Sequence, residues 1–202
     1  MLNSGQSCIA AKRFITLGAT AKSFTEALEK ELGLVKVGDP MDPATTIGPL
    51  AKREFLGVLS AQLEDAERKG ARVVYGPSPP PGNGFFFRPA IVTNVRPDMR
   101  VVTEEVFGPI LPVLVAESEN RLVEMANASA YGLGASIWTK DLARAEKLAR
   151  ELEVGFVAVN DMVKSDPRLP FGGIKKSGIG RELSHYGLKE FMNIKSVVIK
   201  GA

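Results

Sequence analysis

Strand-like and helix-like stretches alternate along this chain, and that alternation restricts its fold more than any other feature. "RFITL" reads as a strand and "AKSFTEALEKELG" as a helix, with Phe24, Ala27, Leu28 and Leu32 on one face and Gly33 as a stop. "LVKVG" reads as a second short strand. "KREFLGVLSAQLEDAERKG" repeats the helical signal through Phe55, Leu59, Leu63 and Ala66 and ends at Gly70. "ARVVYG", "PAIVTNV" and "PILPVLVA" follow as strands, and Pro112 predicts that the last is bent or near a sheet edge. "NRLVEMANAS" and "DLARAEKLARELEVG" read as helices, "GASIWT" as a strand and "FVAVN" as a buried strand. "PSPPPGNG" can continue neither element and reads as an exposed loop. The expectation is an α/β fold, a parallel sheet covered by helices on both faces.

The last fifth departs from this pattern. "DMVKSDPRLPFGGIKKSGIGRE" is a long loop rich in Gly, Pro and charge, and such loops in compact domains are commonly functional or disordered. "IKSVVIKGA" closes the chain as a lone strand, which must pair with something; a second subunit is the expected partner.

Composition narrows the function. The 202 residues are 45% hydrophobic and 24% charged, enough to bury a core. The net charge is +3 and the basic residues are scattered, so no nucleic-acid partner is expected. No apolar run approaches the roughly 20 residues of a membrane span, and the N-terminus does not read as a signal peptide. A single cysteine forms no internal disulfide, which fits a reducing cytoplasm. One His and one Cys make none of the familiar zinc sites, so no metal is expected. "GLGAS" lacks the last glycine of a dinucleotide fingerprint, and "GGIKKSGIG" has the wrong order for a phosphate loop.

The lone cysteine, Cys8, is then the candidate chemical group. Asn3, Ser4 and Gln6 can cap a helix, and Cys8 falls in its first turn or just past it. A helix N-terminus favours thiolate over thiol. Gly5 permits close backbone approach, and a backbone N–H beside the sulfur can stabilise an oxyanion. Against this stands the ordinary reading of a buried cysteine as a small hydrophobe. His185 is the only histidine; it reads as structural or as a partner for the thiol.

"NSGQSC", "AAKRF", "KVGDP", "GPL", "EEVFGPI", "YGLGASIWT" and "LPFGGIKKSGIGRE" occur in an order that resembles the aldehyde dehydrogenase superfamily, most closely its succinate-semialdehyde dehydrogenase-type members. The resemblance covers the whole chain and implies NAD(P)-dependent oxidation of an aldehyde to a carboxylic acid. Cys8 would attack the carbonyl to give a thiohemiacetal, hydride would pass to NAD or NADP, and water would hydrolyse the thioester. It implies that Glu105 grips the nicotinamide ribose hydroxyls and that Phe107 lies against the nicotinamide. Without it, Glu104 and Glu105 read as a solvated acidic pair. Phe171 would line the aldehyde entrance, or otherwise pack in a core or loop. Asn160 reads as a loop-capping amide.

Leu2 stands where some of these enzymes carry a substrate-binding arginine, while Ser165 matches their substrate serine; Lys164 and Arg168 are further loop cations, or ordinary solvated charges. The resemblance implies a catalytic domain over 1–189, a C-terminal oligomerisation strand within a tail at 190–202, and a homo-oligomer. It also implies that these residues are a C-terminal portion. The N-terminal cofactor-binding domain would be absent, with the water-activating glutamate and the oxyanion asparagine, so the chain alone is expected to be inactive as a dehydrogenase. The alternatives are a non-catalytic oligomerisation or interaction module and a cofactor-free thiol esterase.

Overall fold

Burial on both sides of a central strand explains why the apolar runs are nearly continuous. A computed structural model describes residues 1–82 and 84–201 and divides the chain into two units, Met1–Ser129 and Ala130–Ala202. The first unit begins with β1 (Phe14–Leu17) and α1 (Gly18–Leu34), followed by α2 (Arg53–Arg68), β2 (Arg72–Tyr75) and β3 (Ala90–Thr93). A single-turn helix, α3 (Arg100–Thr103), then β4 (Ile110–Ala116) and α4 (Glu119–Asn127) complete it. The sheet order is β1-β4-β3-β2. β1, β4 and β3 run parallel, and β2 is antiparallel at the edge beside β3.

Alternation along β3 and β4 assigns the helices to faces. Ala90, Val92 and Ile110 join Leu59, Leu63 and Ala66 of α2 in one core. Ile91, Leu111 and Val113 join Leu32, Phe24 and Leu28 of α1 in another. Successive side chains of a strand point to opposite faces, so α1 and α2 cover opposite sides of the sheet. The expected parallel sheet with helices on both faces is therefore present.

Pro112 does not mark a sheet edge. β4 is a central strand, not an edge. The Ala90 N–H donates to the Pro109 carbonyl, so in this parallel register the N–H groups of Leu111 and Val113 face β3. The nitrogen of Pro112 faces the β1 side, where the ladder begins only at Phe14 opposite Val113. No hydrogen bond is lost there, and proline is accommodated.

"LVKVG" is not a strand either. α1 continues through Leu34, and only a single parallel bridge joins Val37 to Ile47. The turn at Asp39–Thr45, closed by Asp39 and Asp42 side chains on backbone N–H groups, leaves too little extended chain for a ladder.

The second unit holds β5 (Tyr131–Gly132), β6 (Gly134–Ile137), α5 (Leu142–Glu151), β7 (Phe156–Val159), β8 (Ile174–Lys175) and α6 (Ser184–Glu190). β6 and β7 are a parallel pair, and β5 and β8 an antiparallel pair. Asp141 caps α5 by accepting from the Arg144 N–H. β7 is only half-buried, with Val159 exposed, because β6 is its sole ladder partner among the described residues.

The segment read as a long loop includes β8 and an antiparallel bridge between Phe171 and Glu182. The stretch 77–84 has no helix or strand at its described positions; Asn83 within it lies outside the described residues, as does Ala202. Residues 192–201 have no helix or strand, and Ile194, Val197, Val198 and Ile199 are exposed. A strand is defined by its ladder, and nothing among the described residues supplies one. No helix among the described residues is long and apolar enough to cross a membrane.

Leu59 joins the α2 core to the loop after α3: it is 1% exposed, and a Cβ on Gly108 would collide with its methyl groups. Leu59→Ala is expected to destabilise the first unit by about 2–5 kcal/mol, read by urea unfolding.

Candidate active site

Three segments far apart in sequence converge in the first unit: residues 3–8, residues 48–51 and residues 104–109. Gly5 makes this possible. Its φ is +75°, and a Cβ there would strike the carbonyl of Gly108. Only glycine tolerates both the left-handed backbone and the contact. Around it the polar groups are satisfied across segments. Ser4 Oγ donates to the Gly48 carbonyl at 3.1 Å, and Gln6 Oε1 accepts from the Ala51 N–H at 2.8 Å. Asn3 Nδ2 donates to the Gln6 carbonyl and Gln6 Nε2 to the Asn3 carbonyl.

These bonds replace the helix cap expected from Asn3, Ser4 and Gln6. Asn3 and Ser4 themselves have positive φ, and a short 3-10 turn spans Leu2–Gly5. Cys8 does not start a helix: it lies in a turn closed by Ala10 N–H to the Ser7 carbonyl, and the chain then runs extended into β1. No helix N-terminus among the described residues therefore lies at the thiol to favour its anion. The thiol is exposed, so the reading of Cys8 as a buried hydrophobe falls too. The Cys8 N–H has no acceptor among the described residues and is free to donate to a bound oxyanion.

The acidic pair is split by its surroundings. Glu104 binds Arg100 at 2.7 Å and the amide of Gln62 at 3.2 Å. The Arg100 guanidinium, chiefly through that hydrogen bond, holds the Glu104 carboxyl below the ordinary carboxylate range. The Glu105 carboxylate is exposed and makes no hydrogen bond or ion pair among the described residues, while its carbonyl accepts from Gln62 Nε2 at 3.1 Å. Its oxygens are free to accept from a diol. Phe107, half-buried, stands two residues on, with its ring 5.9 Å from Phe55.

Gln62 and Asp65 went unnoticed in the sequence. Both lie on the buried face of α2, 0% and 5% exposed. Gln62 fixes Glu104 and Glu105 from beneath. Asp65 accepts from the Arg100 N–H at 2.9 Å, capping α3 from outside, and pairs with Arg68 and Lys69. Polar residues within an apolar helical stripe were the available signal.

Lys12 was also unmarked. Its Nζ donates to the Gly5 carbonyl at 3.2 Å and sits 4.7 Å from the centre of the Phe107 ring. Burial pushes its pKa down, and the charges of Glu105 and Cys8 pull it back up.

The other candidates belong to the second unit. Ser165 is exposed. Phe171 is 8% exposed, its ring 6.0 Å from Phe156. Lys164 pairs with Asp161 at 2.7 Å, and Arg168 makes a two-pronged pair with Asp166. Asn160 caps the loop as expected: its amide accepts from the Thr139 N–H and donates to the Thr139 carbonyl, both at 2.9 Å. His185 lies against Tyr186, with ring centres 4.2 Å apart, on the surface. Of the glycines in "GGIKKSGIG", Gly172 and Gly173 lie against other backbone: a Cβ on Gly155 would collide with the Gly172 carbonyl, and one on Gly173 would crowd the Gly132 carbonyl.

Residues 1–197 match the aldehyde dehydrogenase family. An NADP⁺ succinate-semialdehyde dehydrogenase of Mycobacterium ulcerans is 43% identical over 195 residues, covering 96% of this chain and 43% of that protein. The structure of Gox0499, described for its cofactor and substrate selection, superposes with a TM-score of 0.92 at 40% identity, covering 98% of this chain and 43% of the other. Betaine aldehyde dehydrogenase from Staphylococcus aureus, in complex with NAD⁺, gives 0.88 at 35% identity, covering 94% and 38%. The chain thus spans about two fifths of the length of these relatives.

The carboxylates around α3 give the site an acid limit. Asp65, held low chiefly by the Arg100 N–H, and Glu104 both have depressed folded pKa values. Their stabilisation is present above the unfolded carboxylate value of about 4 and is lost as pH falls through the lower folded values. Thermal unfolding should therefore move to lower temperature below about pH 4. Asp65→Asn should flatten that acid limb and lower the melting temperature at neutral pH.

Proposed function

The chain belongs to the aldehyde dehydrogenase family, and on that premise we propose that it carries the thiol part of an NAD(P)-dependent aldehyde oxidation. The observation that carries this reading is the Gly5–Gly108 contact, which sets the cysteine loop against the loop of Glu105 and Phe107. The exposed Cys8 sulfur, as thiolate, adds to the carbonyl carbon of the aldehyde. A C–S bond forms, and the carbonyl oxygen takes the negative charge as the thiohemiacetal oxyanion. The free Cys8 N–H donates to that oxygen. Oxidation of this adduct leaves a thioester on Cys8, which water cleaves to the carboxylic acid and free thiol.

The unpaired Glu105 carboxylate and the Phe107 ring are the groups here that fit the diol and the flat ring of a nicotinamide nucleoside. NAD or NADP, when bound, supplies the hydride acceptor. Glu105 orients the ribose by accepting two hydrogen bonds, and Gln62 keeps Glu105 in place through its carbonyl.

An aldehyde is the proposed substrate, with succinate semialdehyde the first to test because of the mycobacterial relative. Ser165 and Phe171 are the proposed substrate contacts. Lys164 and Arg168, already paired with aspartates, are poor candidates for holding a substrate carboxylate. Residues 1–189 are the proposed catalytic domain. Residues 190–202, which expose Phe191, Ile194, Val197, Val198 and Ile199, are the proposed segment that adds to the sheet of a second copy. A cytoplasmic setting suits a thiol that must stay reduced.

The test joins the preceding portion of a succinate-semialdehyde dehydrogenase ahead of Met1 and measures aldehyde-dependent NAD(P) reduction. Turnover is expected from the joined protein and none from the 202 residues alone. Cys8→Ser should lower that turnover at least about 10³-fold; near-normal turnover in the variant defeats the assignment. If the chain alone instead hydrolyses an activated ester, and Cys8→Ala abolishes this, the thiol esterase reading gains.

For Glu105→Gln in the joined protein, the KM for the nucleotide should rise about tenfold, the size of one charge-assisted hydrogen bond of about 1.5 kcal/mol. The melting temperature should stay unchanged. Unaltered nucleotide kinetics would return Glu105 to a solvated surface charge.

A further inference from the structure

"AAKRF" places two cations side by side, and the extended backbone sends them to different partners. Arg13 donates to the carbonyls of Met125 and Ala126 at 2.8 and 2.9 Å, at the C-terminal end of α4, where a cation complements the free carbonyls. Lys12 turns the other way, to the cysteine loop. Its ammonium donates to the Gly5 carbonyl and contacts the Phe107 ring, bridging the two loops that the Gly5–Gly108 contact already brings together. It forms no ion pair among the described residues. The charged groups that interact with it are Glu105 and Cys8, and the latter is the nucleophile of the reaction proposed above. A half-buried ammonium held by one carbonyl and one ring face keeps a fixed position.

We propose that Lys12 is a positioning residue of the thiol site: it ties the cysteine loop to Phe107 and sets a positive charge beside Cys8 that favours anionic over neutral electrophiles. This rests on Cys8 being the reactive thiol, and it adds to that reading a residue that sets which reactants the sulfur meets.

Two alkylating reagents separate the charge from every other property of the thiol. Iodoacetate and iodoacetamide react with the same thiolate in the same way: an S–C bond forms and iodide leaves. They differ in charge. The ratio of their rates therefore cancels changes in thiolate fraction and exposure, and it reports the local potential. With this chain at low ionic strength, Lys12→Met should lower the iodoacetate-to-iodoacetamide ratio about two- to five-fold, the effect of one unit charge across several ångströms at an exposed site. Lys12→Arg should keep the ratio. Salt near 1 M, where the screening length is about 3 Å, should bring the unmodified chain down to the Lys12→Met value.

A ratio that Lys12→Met leaves unchanged overturns the proposal. So does a ratio in the unmodified chain that is indifferent to salt, a measurement that decides the matter even if Lys12→Met does not fold. The readout needs neither aldehyde nor nucleotide. Failure of the dehydrogenase reading leaves it standing, and normal turnover in the joined protein with an unchanged ratio removes the Lys12 assignment alone.

Discussion

The contact of one backbone with another, Gly5 on Gly108, is the constraint from which the first unit's chemistry follows. Neither residue has a side chain to keep the segments apart, and Leu59 fills the far side of Gly108. A methyl group on Gly5 would push the cysteine loop away from the Glu105–Phe107 loop, and one on Gly108 would collide with Leu59. Close packing transmits such a displacement, because the interior has few voids to absorb it. The thiol and the carboxylate are thus positioned by what is missing from two residues and by the solid core beneath one of them.

Polar groups then fix the orientation that packing allows. Gln62 and Asp65 are buried on α2 where an apolar residue would serve the core equally well. Each instead satisfies groups of the following loop: the carbonyl of Glu105, the carboxylate of Glu104, the first N–H of α3. A buried hydrogen bond contributes only about 1 kcal/mol net, but leaving a partner unmade costs more. This asymmetry makes the loop conformation specific as well as stable. The outcome is a division of labour between adjacent glutamates: Glu104 is held in the framework and Glu105 is left free.

The second unit uses its glycines and charges in a different way. Gly155 and Gly172 bring backbones together, and Ser177 Oγ accepts from the Gly132 N–H at 3.0 Å, so "GGIKKSGIG" gives Gly172 and Ser177 to internal packing. Lys164 and Arg168 pair with aspartates two or three residues away, a local arrangement that orders this part of the loop.

Sequence alone determined the alternation of elements, the α/β class and the covering of the sheet on both faces, because apolar periodicity is a local property and each helix or strand must bury its own stripe. It also singled out Cys8, Glu105 and Phe107, through motifs whose order matches a family. Tertiary structure decided the rest. Pro112 reads as an edge residue until the register shows that its nitrogen faces a gap in the ladder. Cys8 reads as a helix start until Asn3, Ser4 and Gln6 are seen bonding one another and residues 48–51. Lys12, Gln62 and Asp65 are ordinary side chains in the sequence and acquire their roles from hydrogen-bond partners 7 to 43 positions away along the chain. A strand or helix is encoded in its own residues, but a hydrogen-bond partner is encoded by where another segment of the chain comes to rest, and no local pattern carries that information.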